Sequence, residues 1–290
     1  MELALVITTL GRVEALRRLV SSIRDQLVAG DSVVVVAQGA HDAVSAVLAP
    51  LREGPASVVV TRSDRGASRG RNAGVAVLPG GGDPLLVFPN DTTWFPAGTL
   101  TALRELDDSV RLAAATIVDE NGPKFVLPPA GAPLDRRSVW SVIEMGLLIR
   151  RREFEELGGF DESIGTGAST PWQAGEATDL LLRFRERFPG TPIEWLPPRI
   201  GFGGAGNSLG LSSTERRRKL RSYGRGLGRL VTRWGWPLWW RIAFIGAGAL
   251  VGIRHGHDFR VLDGWWGLLG RCEGVLGRTF GGADARAVAR

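Results

Sequence analysis

Cysteine is almost missing from this chain of 290 residues. Cys272 stands alone, so an internal disulfide and a cysteine-built zinc site are both excluded, and a reducing compartment fits. No internal repeat recurs, and the 40 glycines show no collagen-like period. Neither a G-x-G-x-x-G fingerprint nor a Walker loop is present. No basic flank precedes the opening Met-Glu-Leu-Ala-Leu-Val-Ile, which reads as a strand that starts at once and not as a signal peptide. Long apolar runs are scarce too. The most apolar segment, 237–253, is broken by Arg241 and thinned by Gly246, Gly248 and Gly252. At roughly 17 residues it meets only the lower limit for a spanning helix, so it is expected to lie in a membrane interface or to pack in a hairpin with 260–277. His255 and His257 have no third ligand nearby and read as solvated loop residues.

What is abundant is positive charge, unevenly placed. The net charge is +6 and the pI about 10.7. Arg216, Arg217, Arg218, Lys219, Arg221, Arg225, Arg229 and Arg233 crowd one stretch, and six of the ten tryptophans follow it. A basic stripe suits nucleic acid, anionic lipid or a phosphorylated substrate, and tryptophan beside arginine favours a membrane interface. The stripe lacks interleaved aromatics for base stacking, so nucleic acid is not expected as a partner.

The first half alternates buried-strand runs (3–9, 32–38, 57–61, 85–88) with helix-like segments (13–27, 42–51, 68–77). That order predicts a parallel sheet with ligands outside the strands' carboxyl ends. Further strands are expected at 112–118, 124–127, 142–149 and 193–196. Helices are expected at 151–157 and 176–188, and a basic helix runs from an N-cap at Ser213 to about Trp234. The fold class is α/β, with a sheet domain over 1–210 and a basic, tryptophan-rich helical extension over 211–290.

Candidate site residues fall at the strand ends. Asp91, after an apolar run, could bind a divalent ion bridging two phosphates, though an Asp in Asn-Asp-Thr is also an ordinary turn residue. In Arg65-Gly66-Ala67-Ser68-Arg69-Gly70-Arg71 the glycines allow close approach and the arginines can meet diphosphate oxygens. Glu176 and Asp179, three residues apart, share a helix face near its N-terminus. They could take a proton from an acceptor hydroxyl, or simply complement the helix dipole. Together these point to group transfer from an activated, phosphate-bearing donor.

Those same residues resemble the family 2 glycosyltransferases of GT-A fold. Val6-Ile7-Thr8-Thr9-Leu10-Gly11-Arg12 is similar to that family's first strand and nucleotide loop. Ser68-Arg69-Gly70-Arg71-Asn72-Ala73-Gly74 is similar to its arginine-asparagine helix start, and Phe88-Pro89-Asn90-Asp91-Thr92 to its acidic metal motif. Leu157-Gly158-Gly159-Phe160-Asp161-Glu162 resembles the segment before its acceptor site. The stretch 165–176, with 223–228 and 270–274, resembles a bacterial branch that builds capsular or extracellular polysaccharides.

The resemblance implies an inverting glycosyltransferase. Thr8, Thr9, Gln38, Arg65, Arg71, Asn90 and Asp91 would bind a nucleotide-sugar donor, with Mg²⁺ or Mn²⁺ on Asp91. Trp172 and Asp161 would hold a glycan or lipid-linked acceptor, and Asp179 or Glu176 would be the base. The basic helix and tryptophan-rich tail suggest docking on the cytoplasmic leaflet, which would make the enzyme cytoplasmic, peripheral on the inner face of the plasma membrane and near an anionic surface. Three departures qualify this. Asn90-Asp91-Thr92 stands where relatives carry two or three aspartates, which leaves open a weakened or absent metal requirement with arginines carrying more of the diphosphate's charge. Ala177 stands where relatives continue the acidic pair, so the base is open between Glu176 and Asp179. Gln38 replaces a common acid, leaving the nucleobase open. A transferase-like scaffold without chemistry is the rival reading, supported by Asn90, Thr92 and Ala177.

Overall fold

The structure, a computed structural model, describes residues 1–205, 210–254 and 259–281, with residues 252 and 254 described by their backbone alone. His255 and His257 lie outside the described residues. The chain divides into two compact units. The first comprises Met1–Arg65, Arg69–Phe160 and Ala177–Ala205, and the second Gly66–Ser68, Asp161–Glu176 and Gly206–Arg290.

From the N-terminus the chain runs β1 (Leu3–Thr9), α1 (Val13–Ile23), β2 (Ser32–Ala37), α2 (His41–Val47), α3 (Ala49–Arg52), β3 (Ser57–Arg62), α4 (Ala67–Ala76) and β4 (Leu85–Val87). It continues through α5 (Thr99–Arg104), β5 (Leu112–Ala114), β6 (Ile117–Asp119), β7 (Gly122–Pro123), β8 (Leu147–Arg150), α6 (Arg151–Glu156), α7 (Glu176–Arg187), β9 (Glu194–Trp195) and β10 (Phe202–Gly203). β1, β2 and β4 are rich in valine, leucine and isoleucine and buried almost throughout, the signature of strands covered on both faces. They sit in a seven-stranded sheet of order β3-β2-β1-β4-β8-β5-β9. The first four strands are all parallel, as their alternation with helices predicts, so their carboxyl ends share one edge. β8 runs antiparallel between β4 and β5. The fold is thus a mixed α/β sheet flanked by helices.

Several expected elements differ. The strand expected at 112–118 is two, because β6 leaves the main sheet for a small one of order β10-β6-β7. The strand expected at 124–127 is absent: Pro123, which has no N–H to extend a ladder, ends β7, and Val126 is exposed. The run 142–149 is strand only from Leu147, after a 3₁₀ turn over Glu144–Gly146.

The second unit is helical: α8 (Ser213–Arg233), α9 (Leu238–Ala247), α10 (Val251–Arg254) and α11 (Gly264–Leu276). Ser212, one residue before the expected cap, starts α8 with a capping box to Glu215. α8 and α11 approach through glycines. A Cβ on Gly228 would lie 2.5 Å from the Arg271 carbonyl oxygen, and Gly270 and Gly274 are tighter still. That close contact buries Glu273 between Arg221 (2.6 Å) and Arg225 (2.6 Å). Asp263, also buried, pairs with Arg216 (2.6 Å) and Arg217 (3.0 Å). Much of the basic stripe is therefore internal wiring of this unit. α9 packs on α11 where Gly248 meets Leu268, but the main partner of α11 is α8. Along α9, Trp240 stacks on Phe244 (5.3 Å) and sits 5.5 Å from Trp236. Its other positions Leu238, Trp239 and Ile242 are exposed, and no residue of α9 is buried. No helix among the described residues is long and apolar enough to cross a membrane.

Candidate active site

In the first unit, the ends of β1 and β4 are joined by a bridge between Thr8 and Asn90. Asn90 donates its N–H to Thr93 Oγ1 (3.1 Å) and Thr93 returns its own to the Asn90 carbonyl (2.9 Å), so the turn carrying Asp91 is closed from both sides. The Asp91 carboxylate is wholly buried, at 0% exposure. Its Oδ2 accepts from Thr9 Oγ1 (2.7 Å) and from Arg12 Nε (3.1 Å), and its Oδ1 accepts from Arg12 Nη2. Thr9, expected to touch donor, orients Asp91.

The α4 segment reaches the same rim because residue 70 has no side chain. A Cβ on Gly70 would stand 2.6 Å from Thr8 Cγ2 and 2.8 Å from Gln38 Nε2. Gln38 donates to Ser63 Oγ (3.0 Å) and to the Asp64 carbonyl (2.7 Å), which ties β2's end to β3's. Arg65 is exposed at this rim. Arg71 is buried: its Nη2 donates to Asn90 Oδ1 (3.0 Å), lies 3.5 Å from Glu144, and its guanidinium sits over Phe160 at 5.5 Å. Asn72 grips Phe160's backbone by two bonds, of 2.8 and 2.9 Å, so the two motifs at 68–74 and 157–162 meet each other. Phe88, Phe154 and Phe160 close the cluster at 5.0–5.2 Å.

The two helix acids divide. Asp179, at 0% exposure, pairs with Arg183 at 2.8 Å, and Arg183 also donates to the carbonyls of Leu157 (2.6 Å) and Gly159 (2.8 Å). That side chain holds the glycine turn. In the second unit, Glu176 lies under Gly165, whose φ of +106° and missing side chain let the loop pass: a Cβ there would be 3.0 Å from the Glu176 carboxyl carbon and 2.8 Å from Ser68 Oγ. Gln173 is buried and accepts from Gly167 N–H (2.8 Å), pinning the same loop. Trp172 is half-buried, with Arg229 over its ring at 5.6 Å. Asp161 is engaged by Arg233 and by the Ser163 N–H (2.9 Å). Burial pushes its carboxyl up, but Arg233 and Ser163 outweigh that and hold it below the usual carboxylate range.

Sequence reasoning assigned no role to Arg12 or Glu144. Arg12 closes the first strand's loop motif, which was its signal. Glu144, whose Oε1 accepts from Asn90 Nδ2 (3.4 Å), is a lone acid inside an apolar run.

The Mg²⁺ or Mn²⁺ expected on Asp91 can be tested against the donor set. One carboxylate plus substrate phosphates can suffice for such an ion, so the count is no objection. The objection is that both oxygens of Asp91 are taken by a guanidinium fork and a hydroxyl, and that its flanks, Asn90 and Thr92, are neutral. Among the described residues no group of three or more His, Cys, Asp or Glu side chains could hold an ion. The residues do not fit that metal as they stand.

No family model and no curated protein matches the sequence. Solved structures do resemble the fold. S. aureus TarS 1–349, in complex with UDP-GlcNAc, matches at TM-score 0.57 and 13% identity over 97% of this chain and 93% of that one. The mannosyltransferase PcManGT from Pyrobaculum calidifontis, with GDP-Man and Mn²⁺, matches at 0.52 and 14% over 95% and 74%. GalNAc-T7, with UDP, GalNAc and Mn²⁺, matches at 0.50 and 18% over 78% and 47%. The fold is that of the GT-A-type glycosyltransferases.

Proposed function

We propose that the protein is an inverting, family 2-type glycosyltransferase that moves a sugar from a nucleotide-sugar donor to a hydroxyl of a glycan or lipid-linked acceptor. The observation that carries this reading is the convergence of Asp91, Arg12, Arg71, Asn90 and Glu144 at the carboxyl ends of β1 and β4. An open α/β sheet binds its ligand at that edge, and two arginines there suit a diphosphate. Nucleotide-sugar and nucleotide complexes of the similar folds support it.

In the reaction, the acceptor oxygen forms a bond to the anomeric carbon as the bond from that carbon to the diphosphate oxygen breaks. The leaving nucleoside diphosphate keeps the electron pair, and Arg71 offsets its charge. The acceptor proton passes to a carboxylate. Of the two acids that open α7 we assign Glu176 as the base, with Trp172 as the platform for the acceptor ring. Donor turnover tests this: Glu176→Gln should abolish most transfer, and full activity in that variant would remove the assignment.

The acceptor pathway we propose is surface polysaccharide synthesis on the cytoplasmic leaflet. Supporting it, Leu238, Trp239 and Ile242 project from α9 while Leu262 and Trp265 are exposed nearby in sequence. Residues 211–290 carry 15 basic and 5 acidic side chains. Vesicle flotation tests it: binding stronger to anionic vesicles and weakened by Trp239→Ser supports docking, and equal, salt-insensitive partitioning to neutral and anionic vesicles argues against it.

A further inference from the structure

We infer that Arg12 is the resident cation of the donor site: it holds the place of a divalent ion at Asp91 and presents its charge to the diphosphate, so that donor binding needs no metal. This rests on the sugar-transfer reading for the identity of the donor, but its own evidence is local.

The loop that delivers Arg12 is fixed. Gly11 has φ of +95°, and a Cβ on it would come within 2.6 Å of Ala40 Cβ. Its N–H donates to Thr9 Oγ1 (3.0 Å), and that same hydroxyl donates to Asp91 (2.7 Å). Turn, hydroxyl and carboxylate thus form one unit whose next residue is Arg12. Asp91 is 1% exposed in its side chain while Arg12 is 61% exposed. A guanidinium carries five N–H donors in a planar fork; one edge lies on Asp91, and the remaining edge faces outward. A pair of phosphate oxygens matches that edge.

Charge decides between occupants. Asp91 with Arg12 is a neutral pair, which gives a divalent ion little to bind. An ion on Asp91 would also stand beside a guanidinium of like charge at a few ångströms. The two cations are therefore alternatives at one carboxylate. Arg71, buried and held by Asn90 and Glu144, adds a second positive charge behind the rim, so a diphosphate on Arg12 lies in the field of two guanidiniums without an ion.

The experiment uses the full chain, Mn²⁺ followed by electron paramagnetic resonance, and inorganic pyrophosphate followed by calorimetry. Wild type should bind no stoichiometric Mn²⁺ and should bind pyrophosphate equally with and without EDTA. Arg12→Ala should gain one Mn²⁺ site that Arg12→Ala/Asp91→Asn lacks. In EDTA it should bind pyrophosphate at least tenfold more weakly, with Mn²⁺ restoring the affinity. Arg12→Lys, which keeps charge but not the fork, guards against a folding defect and should fall between. Stoichiometric Mn²⁺ on wild type, with pyrophosphate binding lost in EDTA, would overturn the inference; so would Arg12→Ala binding pyrophosphate normally in EDTA. If pyrophosphate behaves as described while no nucleotide sugar binds, the sugar-transfer reading fails and Arg12's role as the resident cation stands.

Discussion

The sheet rim of the first unit and the helical bundle of the second both gather arginines, and they use them in opposite ways. At the rim, Arg12 and Arg71 each face a polar partner on β4's end. Arg12 remains largely exposed, so its charge is available to a ligand. In the bundle, Arg221 and Arg225 converge on buried Glu273, and Arg216 and Arg217 on buried Asp263. There the charge is consumed by folding, because helices drawn together through glycines leave room for a carboxylate between guanidiniums. Clustered basic residues in a sequence therefore mark either a ligand or a core: the partner acid is buried in both, and it is the exposure of the guanidinium, 61% at Arg12 against 9% at Arg221 and 2% at Arg225, that tells them apart.

Substitutions sharpen that contrast. The largest effect is expected at the base. Glu176→Gln should lower transfer by about 10²–10⁴-fold. Asp179→Ala should act mainly on stability, costing about 3 kcal/mol because Arg183 loses its carboxylate partner; chemical denaturation and a transfer assay on both variants check the division. In the bundle, Glu273→Ala removes the carboxylate shared by two buried guanidiniums and should cost about 3–5 kcal/mol, read from urea unfolding. Gly270→Ala forces a Cβ into the Arg221 backbone and should cost about 1–3 kcal/mol.

How far the sequence foretold this differs by region. Runs such as 3–9 and 32–37 are buried on both faces, so continuous apolar stretches announced the first four strands and their parallel order. The placement of Thr8, Gln38, Asn90 and Asp91 at strand ends followed from that order. What escaped prediction depended on long-range partners. Arg12 matters because Asp91 lies 79 positions away, and Glu144 because a 3₁₀ turn carries it to Asn90. The stripe from Arg216 read as a charged surface because nothing local reveals that Asp263 and Glu273 return to it.

A smaller effect is expected in acid. Burial raises the Glu273 carboxyl, but Arg221, Arg225 and the Phe280 N–H outweigh it and hold it below its ordinary value. The folded value lies under the unfolded one, so its contribution is complete above the unfolded value and is lost only as pH falls through the lower folded one. Asp263, depressed by Arg216, the Arg260 N–H and Arg217 against its own burial, behaves alike. Helical circular dichroism of wild type should persist below the ordinary carboxylate range, and Glu273→Gln should narrow that margin.

The most direct measurement is calorimetric titration of UDP- and GDP-sugars into wild type and Arg71→Ala. At least one donor should bind wild type, and the same donor should bind Arg71→Ala at least tenfold more weakly. Equal affinity in both proteins would place the donor elsewhere than the rim of β1 and β4 and contradict the account.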